Sequence, residues 1–366
     1  MKRGEVWWAD PGPYRPQEQT GRRPVIVWQS DTLTRLLHSV LVIPLATNLS
    51  RLFKPPSRTG RTALLAALCL AAAAAGAVTP AGGQASQPSA AELRRLAELV
   101  NKPVVYTVPG MDRVKVRKDI VYKKTDDPNM KMDLYTPVGS APEKRPAVIF
   151  LHGGAATRFQ PKEWGFYQSW GRLVAASGMA AVTFTYRSTF PASHLADSGG
   201  DVADAIAYVR ANADSLGIDR DRLCLASYSA GGPMLAPYLR GAPEHIRCLV
   251  AFYSLMDVRQ PGGHEASEPA ELLARFSPVA QLEQGSGRFT PIFVAQGRKD
   301  EVPTLLDTVD RFAAQAFARG VPLTLMSHPD APHAFDNQID DNRTREIVRA
   351  SLDFLRWHLG IAGEAR

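Results

Sequence analysis

The 366-residue sequence predicts an α/β fold for its larger, C-terminal part. Short apolar runs bounded by turn residues, typical of buried strands, lie at 146–151, 223–226, 291–296 and 322–327. Residues 200–210 place apolar side chains at helical spacing between two of these runs. A serine, an aspartate and a histidine each follow one of the runs closely. Strands alternating with helical stretches predict a layered α/β domain, and the polar residues that follow them indicate a site.

The strand predicted at 223–226 leads into the sequence Ser227-Tyr-Ser229-Ala-Gly-Gly. This is the pattern G-x-S-x-G with Ser227 in place of the first glycine, and it predicts a sharp strand-to-helix turn that exposes the hydroxyl of Ser229. A serine before a helix is also a common N-cap. The preceding strand and the following glycine pair favour a nucleophile. We expect a helix after the turn, which Pro233 and Pro237 kink or shorten.

Two further candidates follow later strands. Asp300 comes just after the third apolar run, and Glu301 and Asp307 are the alternative acids. His333 comes after the fourth run and competes with His328, which falls within the predicted strand, where a core or surface histidine is the expected role. The chain order serine, aspartate, histidine is that of the α/β-hydrolases and differs from the chymotrypsin and subtilisin orders.

A glycine pair follows the first apolar run, in the sequence His152-Gly153-Gly154. Backbone N–H groups at such a loop can stabilise a developing oxyanion. We expect an oxyanion hole formed by the N–H of Gly153 or Gly154 together with that of Ala230, directly after the serine. His152 is expected to shape the loop, without a role in proton transfer.

From about residue 113 to 359 the chain resembles the α/β-hydrolases of the esterase/lipase and dienelactone-hydrolase-like group. The resemblance rests on His-Gly-Gly, Ser-Tyr-Ser-Ala-Gly-Gly, Gly-Arg-Lys-Asp and His-Ala-Phe. It implies a mostly parallel sheet flanked by helices and an esterase that acts on a small ester without metal or cofactor. Ser229 would attack the ester, His333 would accept its proton, and Asp300 would orient the imidazole. A serine peptidase of the same fold is the alternative.

Substrate contacts are harder to predict. Tyr228, Trp164 and Phe190 are candidates for the cleft entrance, although such aromatic residues equally fit an ordinary core. Residues 256–289, between two predicted strands, occupy the position of a cap. Because this segment is short, we expect modest acyl esters and not long-chain lipids as substrates.

Residues 1–60 alternate apolar runs with turn residues and predict short strands. They resemble the first half of a MazF/PemK-type toxin, a small SH3-like barrel that cuts RNA. In that family an arginine before Pro-Val and a threonine serve the chemistry, and here these positions are Arg23 and either Ala46 or Thr47. Since the second half of the barrel is absent, we expect vestigial RNA-binding character in residues 1–53 without ribonuclease activity.

The next segment, 61–85, is apolar and lacks charged side chains after its first residue. Basic residues precede the segment, its middle is rich in Ala and Leu, and small residues end it. These features predict a secretory signal cleaved near Ala81 or Ala85. A buried helix is the alternative. The position of this segment some sixty residues into the chain fits either of two explanations. Translation starts near Leu52, or the segment is a membrane anchor with its basic side in the cytosol. We expect a periplasmic or extracellular hydrolase if the signal is used, and otherwise a cytoplasmic or membrane-anchored one.

The remaining chain divides into a linker with a short helix, residues 86–112, and a catalytic domain, residues 113–366. Residues 1–61 hold ten Lys or Arg against four acidic residues, whereas the rest holds 33 against 32. The basic character therefore belongs to the front of the chain, and we expect no nucleic acid binding by the hydrolase domain. Cys224 and Cys248 lie on predicted buried strands, where thiols are expected in preference to a disulfide.

Overall fold

The computed structural model describes three short strands near the N-terminus and most of the chain from residue 97 onward. The longer described ranges are 97–139, 144–188, 195–259, 268–285 and 287–361. The chain divides into two units, Met1–Gly60 and Arg61–Arg366. The predicted signal segment, 61–85, lies outside the described residues. Within the described ranges, no helix has the length and apolar character needed to cross a membrane.

The N-terminal unit contains the predicted short strands. They are β1 (Val6–Ala9), β2 (Arg23–Val27) and β3 (Val42–Pro44). Both neighbouring pairs are antiparallel, in the order β1-β2-β3, and Arg23 pairs with Ala9. Ala46 and Thr47 lie outside the described residues.

The second unit is built on one sheet of eight strands. They are β4 (Lys115–Val121), β5 (Lys131–Thr136), β6 (Arg145–Leu151), β7 (Ala180–Phe184), β8 (Ile218–Tyr228), β9 (Ile246–Phe252), β10 (Ile292–Gly297) and β11 (Leu323–His328). The order is β11-β10-β9-β8-β6-β7-β5-β4. Strands β6 to β11 pair in parallel, and β5 and β4 are antiparallel to their neighbours. The predicted mostly parallel sheet is confirmed.

Helices cover both faces of this sheet. They are α1 (Gly165–Ala176), α2 (Leu195–Ala211), α3 (Ala213–Leu216), α4 (Ala270–Arg275), α5 (Pro278–Glu283), α6 (Pro303–Ala318), α7 (Phe335–Gln338) and α8 (Asn342–His358). Alternate residues of β6 belong to opposite cores, since Ile149 packs with α2 and α6 while Val148 and Phe150 pack with α1 and α8. Both faces of the strand are buried, which explains its uninterrupted apolar sequence.

The chain after β8 forms a 3₁₀ helix, Ser229–Tyr238, and not an α-helix. Pro233 and Pro237 lie inside it, and in an α-helix the ring of a proline clashes with the carbonyl four residues earlier. The sequence predicts a kinked or shortened helix here, and the structure has instead a 3₁₀ helix that continues through both prolines. Shorter 3₁₀ helices are Met111–Arg113, Thr157–Phe159 and Pro161–Glu163.

The two cysteines of the sheet lie opposite each other on neighbouring strands. Cys224 of β8 pairs in register with Cys248 of β9, and both are buried free thiols. Burial raises the pKa of the Cys224 thiol, so this thiol stays protonated and unreactive. The prediction of thiols at these positions is confirmed.

Candidate active site

The turn after β8 holds Ser229 in a strained backbone conformation, with φ of 52°. A non-glycine residue rarely adopts this left-handed conformation, and it is common at functional turns. The turn is closely packed: an added Cβ on Gly231 would lie 2.6 Å from the carbonyl oxygen of Leu151, and one on Gly232 would lie 2.1 Å from that of Leu255. Only glycine therefore fits at the two positions after Ala230.

Ser227 replaces the first glycine of the pattern without loss of packing. It is fully buried, and its hydroxyl lies 2.8 Å from the hydroxyl of Ser254 and 3.4 Å from the carbonyl oxygen of Val250. A buried hydroxyl costs free energy unless it is hydrogen-bonded, and this one is. The departure from the glycine pattern thus has a local structural explanation.

The structure brings three predicted residues into one hydrogen-bonded chain. His333 Nε2 lies 3.0 Å from Ser229 Oγ, and His333 Nδ1 lies 2.8 Å from Asp300 Oδ2. Asp300 is 6% exposed, and its other oxygen accepts the backbone N–H of Val302 at 2.9 Å. Gln296, which the sequence did not indicate, donates to Asp300 Oδ2 at 3.3 Å. These contacts fix the carboxylate and aim it at the imidazole.

The alternative acids and histidine lie elsewhere. Glu301 accepts the backbone N–H of His333 at 3.2 Å, and Asp307 is exposed on α6. His328, at the end of β11, lies 2.9 Å from the carboxylate of Asp341. None of the three makes a hydrogen bond to the Ser229 hydroxyl or to the imidazole of His333 in the described contacts.

A buried carboxyl, that of Asp336, is connected to His333 through the side chain of Tyr253. Asp336 accepts hydrogen bonds from Trp170 Nε1 and Tyr253 Oη, both at 2.9 Å. The Tyr253 ring packs against the His333 ring with centroids 4.7 Å apart. Burial raises the pKa of Asp336 to about 6. No sequence pattern pointed to this group, because its partners come from α1 and from the end of β9.

The glycine loop after β6 is held by two aromatic hydroxyls. The N–H of Gly153 donates to Tyr167 Oη at 2.8 Å, and Tyr186 Oη donates to the carbonyl of His152 at 2.8 Å. His152 Nδ1 contacts the carbonyl of Gly153 at 2.7 Å, and its Nε2 accepts the N–H of Tyr186 at 3.3 Å. Burial lowers the pKa of His152 to about 4, so the imidazole is neutral near pH 7 and donates from Nδ1. The described hydrogen bonds of His152 therefore hold the loop in shape.

A cleft that is open to solvent lies over Ser229 and His333. Trp164 and Tyr228, both predicted at the entrance, line it, while Phe190 lies outside the described residues. Tyr228 is also 2% exposed and packs within an aromatic cluster, so it belongs to core and cleft wall alike. No Lys, Arg, Asp or Glu lies among the lining residues of the described part. Most of the lining side chains are apolar or aromatic, which is usual for a site that binds small molecules.

The described residues contain no group of His, Cys, Asp or Glu side chains arranged to hold a metal ion. A nucleophilic serine paired with a histidine can carry out acyl transfer with side-chain chemistry alone.

The chain is similar to known hydrolases and esterases. Residues 132–242 match the BD-FAE family model, and residues 192–362 match that of the prolyl oligopeptidase family. Esterase LipQ of Mycobacterium tuberculosis is 27% identical over 296 residues, which cover 72% of this chain and 67% of LipQ. The chain is a carboxylesterase-like α/β-hydrolase. It spans less than two thirds of the length of several other curated relatives.

Solved structures share the fold of this carboxylesterase-like hydrolase. A truncated carbohydrate esterase from gut microbiota superposes with a TM-score of 0.57 at 18% identity, covering 70% of this chain and 99% of that one. An esterase from Thermogutta terrifontis gives 0.53 at 22% identity, covering 70% and 95%. Other structures of the Thermogutta esterase hold propionate or butyrate.

The N-terminal segment of this carboxylesterase-like chain matches a different protein family. Residues 2–62 match the model of the PemK-like, MazF-like toxins of type II toxin-antitoxin systems. The predicted resemblance of this segment to that toxin family is confirmed.

Proposed function

We propose that this hydrolase cleaves small carboxylic esters through an acyl-enzyme on Ser229. The observation that carries the proposal is the unbroken hydrogen-bonded chain from Asp300 through His333 to Ser229, on an open cleft whose described lining residues include no Lys, Arg, Asp or Glu. The curated esterase relative supports the same reaction class.

In the proposed reaction, His333 Nε2 accepts the proton of Ser229 as its oxygen attacks the ester carbonyl. The tetrahedral intermediate collapses, and the alcohol leaves with the proton from His333. Water, deprotonated by the same imidazole, then attacks the acyl-enzyme and releases the acid. Asp300 holds the Nδ1–H tautomer and stabilises the imidazolium formed in each step.

For the oxyanion we propose the N–H groups of Gly154 and Ala230. The N–H of Gly153 already donates to Tyr167, so it serves to fix the loop. Each donor aimed at the oxyanion is worth about 3 kcal/mol of transition-state stabilisation. Trp164 and Tyr228 form apolar walls of the cleft in this proposal.

A fluorophosphonate probe tests the nucleophile directly. We expect one covalent adduct per chain, which fragmentation of the tryptic peptide places on Ser229, and no adduct in the Ser229→Ala variant. Butyrate is a suitable first acyl group because the Thermogutta esterase binds it. An adduct at another serine, with Ser229 unmodified, would overturn the assignment.

A serine peptidase is the second candidate, because the prolyl oligopeptidase model covers all three residues of the chain from Ser229 to His333. The two reactions separate on a matched pair of substrates, p-nitrophenyl butyrate and butyryl p-nitroanilide. Esterase function predicts rapid release of p-nitrophenol and little p-nitroaniline. Preferential cleavage of the anilide, or of proline-containing peptides, would favour the peptidase.

We also propose that residues 61–85 direct export of the hydrolase, with cleavage near Ala81 or Ala85. The apolar composition of the segment and the basic residues before it support this. Mass spectrometry of the mature protein should give an N-terminal peptide that starts shortly after either alanine. Recovery of peptides from residues 1–60 on exported protein would contradict cleavage. We expect no ribonuclease activity from residues 1–53.

A further inference from the structure

A short helical segment that precedes the eight-stranded sheet in the sequence lies beside the cleft. Residues 97–101 are helical, and Leu99 and Val100 line the same cleft as Ser229 and His333. We call residues 97–105 the entrance segment. The sequence indicates a linker here, yet two of its apolar residues line the site.

The entrance segment is fastened to the elements that carry the site. Asn337 Nδ2, in the helix just after His333, donates to the carbonyls of Leu99 at 2.9 Å and Lys102 at 3.3 Å. Asn337 is 3% exposed and lines the cleft itself. A buried amide that donates to two backbone carbonyls holds the segment at a defined distance from the histidine.

A second attachment of the entrance segment is on α1. Asn101 Oδ1 accepts the N–H of Gly165 at 3.1 Å, and an added Cβ on Gly165 would lie 2.3 Å from the carbonyl oxygen of Asn101. The two backbones thus approach as closely as glycine allows. Gly165 follows Trp164, which lines the same cleft as the entrance segment.

The segment continues into the core and is not a loose arm. Val104 is 2% exposed, and its N–H donates to Ser169 Oγ at 2.9 Å. The N–H of Val105 donates to the carbonyl of Asp336 at 2.9 Å. These bonds connect the entrance segment to α1 and α7, so its position is set by the same helices that position the site.

We propose that the entrance segment sets substrate size, with Leu99 as the residue that limits the apolar group an ester can place in the cleft. This rests on the proposed esterase function. An uncharged wall of Leu99 and Val100, together with the aromatic side chains of the cleft, favours compact aliphatic or aromatic esters. Because a pocket distinguishes substrates by single methylene groups, shortening Leu99 makes room for longer chains.

The test uses the full chain and compares Leu99→Ala and Leu99→Trp with wild type and with Glu98→Ala. Glu98 lies on the same turn and is exposed, so its variant is the matched control. Two substrate series are needed: p-nitrophenyl esters from acetate to octanoate, and butyrate esters of alcohols from methanol to hexanol. The readout is the kcat/KM ratio of the longest to the shortest member of each series.

In at least one series we expect Leu99→Ala to raise this ratio about tenfold, Leu99→Trp to lower it, and Glu98→Ala to leave it within twofold. Ratios that stay unchanged in both series for both Leu99 variants, in proteins that still hydrolyse esters, overturn this inference alone. Absence of ester turnover by the wild-type chain overturns the proposed function and this inference with it.

Discussion

The backbone N–H of Gly153 donates to the hydroxyl of Tyr167 at 2.8 Å, and this bond joins the loop beside Ser229 to helix α1. Burial raises the pKa of Tyr167, so its hydroxyl is neutral at any pH suitable for assay. An added Cβ on Gly153 would lie 3.2 Å from the Cβ of Ser229. The bond therefore fixes a loop in van der Waals range of the nucleophile.

Tyr167→Phe removes this bond and keeps the ring. A neutral hydrogen bond is worth about 1 kcal/mol, so we expect kcat for p-nitrophenyl butyrate to fall about fivefold with KM nearly unchanged. Steady-state kinetics with an accompanying melting curve measure both effects. A loss above a hundredfold in folded protein would mean that the hydroxyl itself contacts the oxyanion, and no change would mean that the loop is held by other contacts.

Asp300→Asn is expected to lower kcat/KM about 10⁴-fold, because an amide no longer selects the productive tautomer of His333 or stabilises its cation. Glu301→Gln is the matched control. Its side chain accepts the backbone N–H of His333 and makes no hydrogen bond to the imidazole among the described contacts, so a decrease of less than about tenfold is expected. A larger loss for Glu301→Gln than for Asp300→Asn would reverse the assignment of the acid.

Glycine substitutions test the packing of the nucleophile turn. In Gly232→Ala the new Cβ would lie 2.1 Å from the carbonyl oxygen of Leu255, and we expect a loss of at least about 2 kcal/mol in the free energy of unfolding. Gly200 is exposed within α2, and a Cβ added there would meet no other atom within 4 Å. Gly200→Ala should raise stability by up to about 1 kcal/mol. Urea titrations with equal results for both variants would contradict this packing.

The burial of His152 predicts that the stability of the folded protein depends on pH. Its pKa is lowered from 6.5 to about 4 by burial. Between these values the unfolded chain binds a proton that the folded chain does not, so stability is complete above pH 6.5 and falls as the pH falls toward 4. The contribution lost is up to about 3 kcal/mol.

His152→Gln isolates this contribution. The difference in free energy of unfolding between wild type and variant should shrink between pH 7 and pH 4.5, as measured by urea titration at each pH. A difference that stays constant over this interval would show that His152 is protonated in the folded protein at the lower pH.

The catalytic candidates were predictable because each follows a strand closely in sequence. The carboxyl ends of parallel strands meet at one edge of a sheet, so residues after β8, β10 and β11 had to lie near one another. Short motifs at Ser229, Asp300 and His333 were therefore sufficient to predict which residues come together. The sequence also showed that Ser227 replaces the first glycine of the pattern. It did not show that the hydroxyl of Ser254, just after β9, would be the hydrogen-bond partner of Ser227.

The surroundings of these residues were not predictable, because they depend on how helices pack on the sheet. Asn337 and Leu99 are 238 positions apart, and no local pattern links them. Asp336 makes its side-chain hydrogen bonds only because α1 and the end of β9 bring Trp170 and Tyr253 to it. The entrance segment has a sequence typical of a linker, and only its contacts assign it to the cleft.

The most direct test of the central claim is kcat/KM for p-nitrophenyl butyrate with the full chain, its Ser229→Ala variant and a Ser227→Ala control. Ser227 is two residues away and buried against Ser254, so its variant should keep activity within about tenfold. Removing the nucleophile of such a site costs about 10⁶-fold, and we predict a loss of at least about 10⁴-fold for Ser229→Ala. Activity within tenfold of wild type in a folded Ser229→Ala protein would contradict the account.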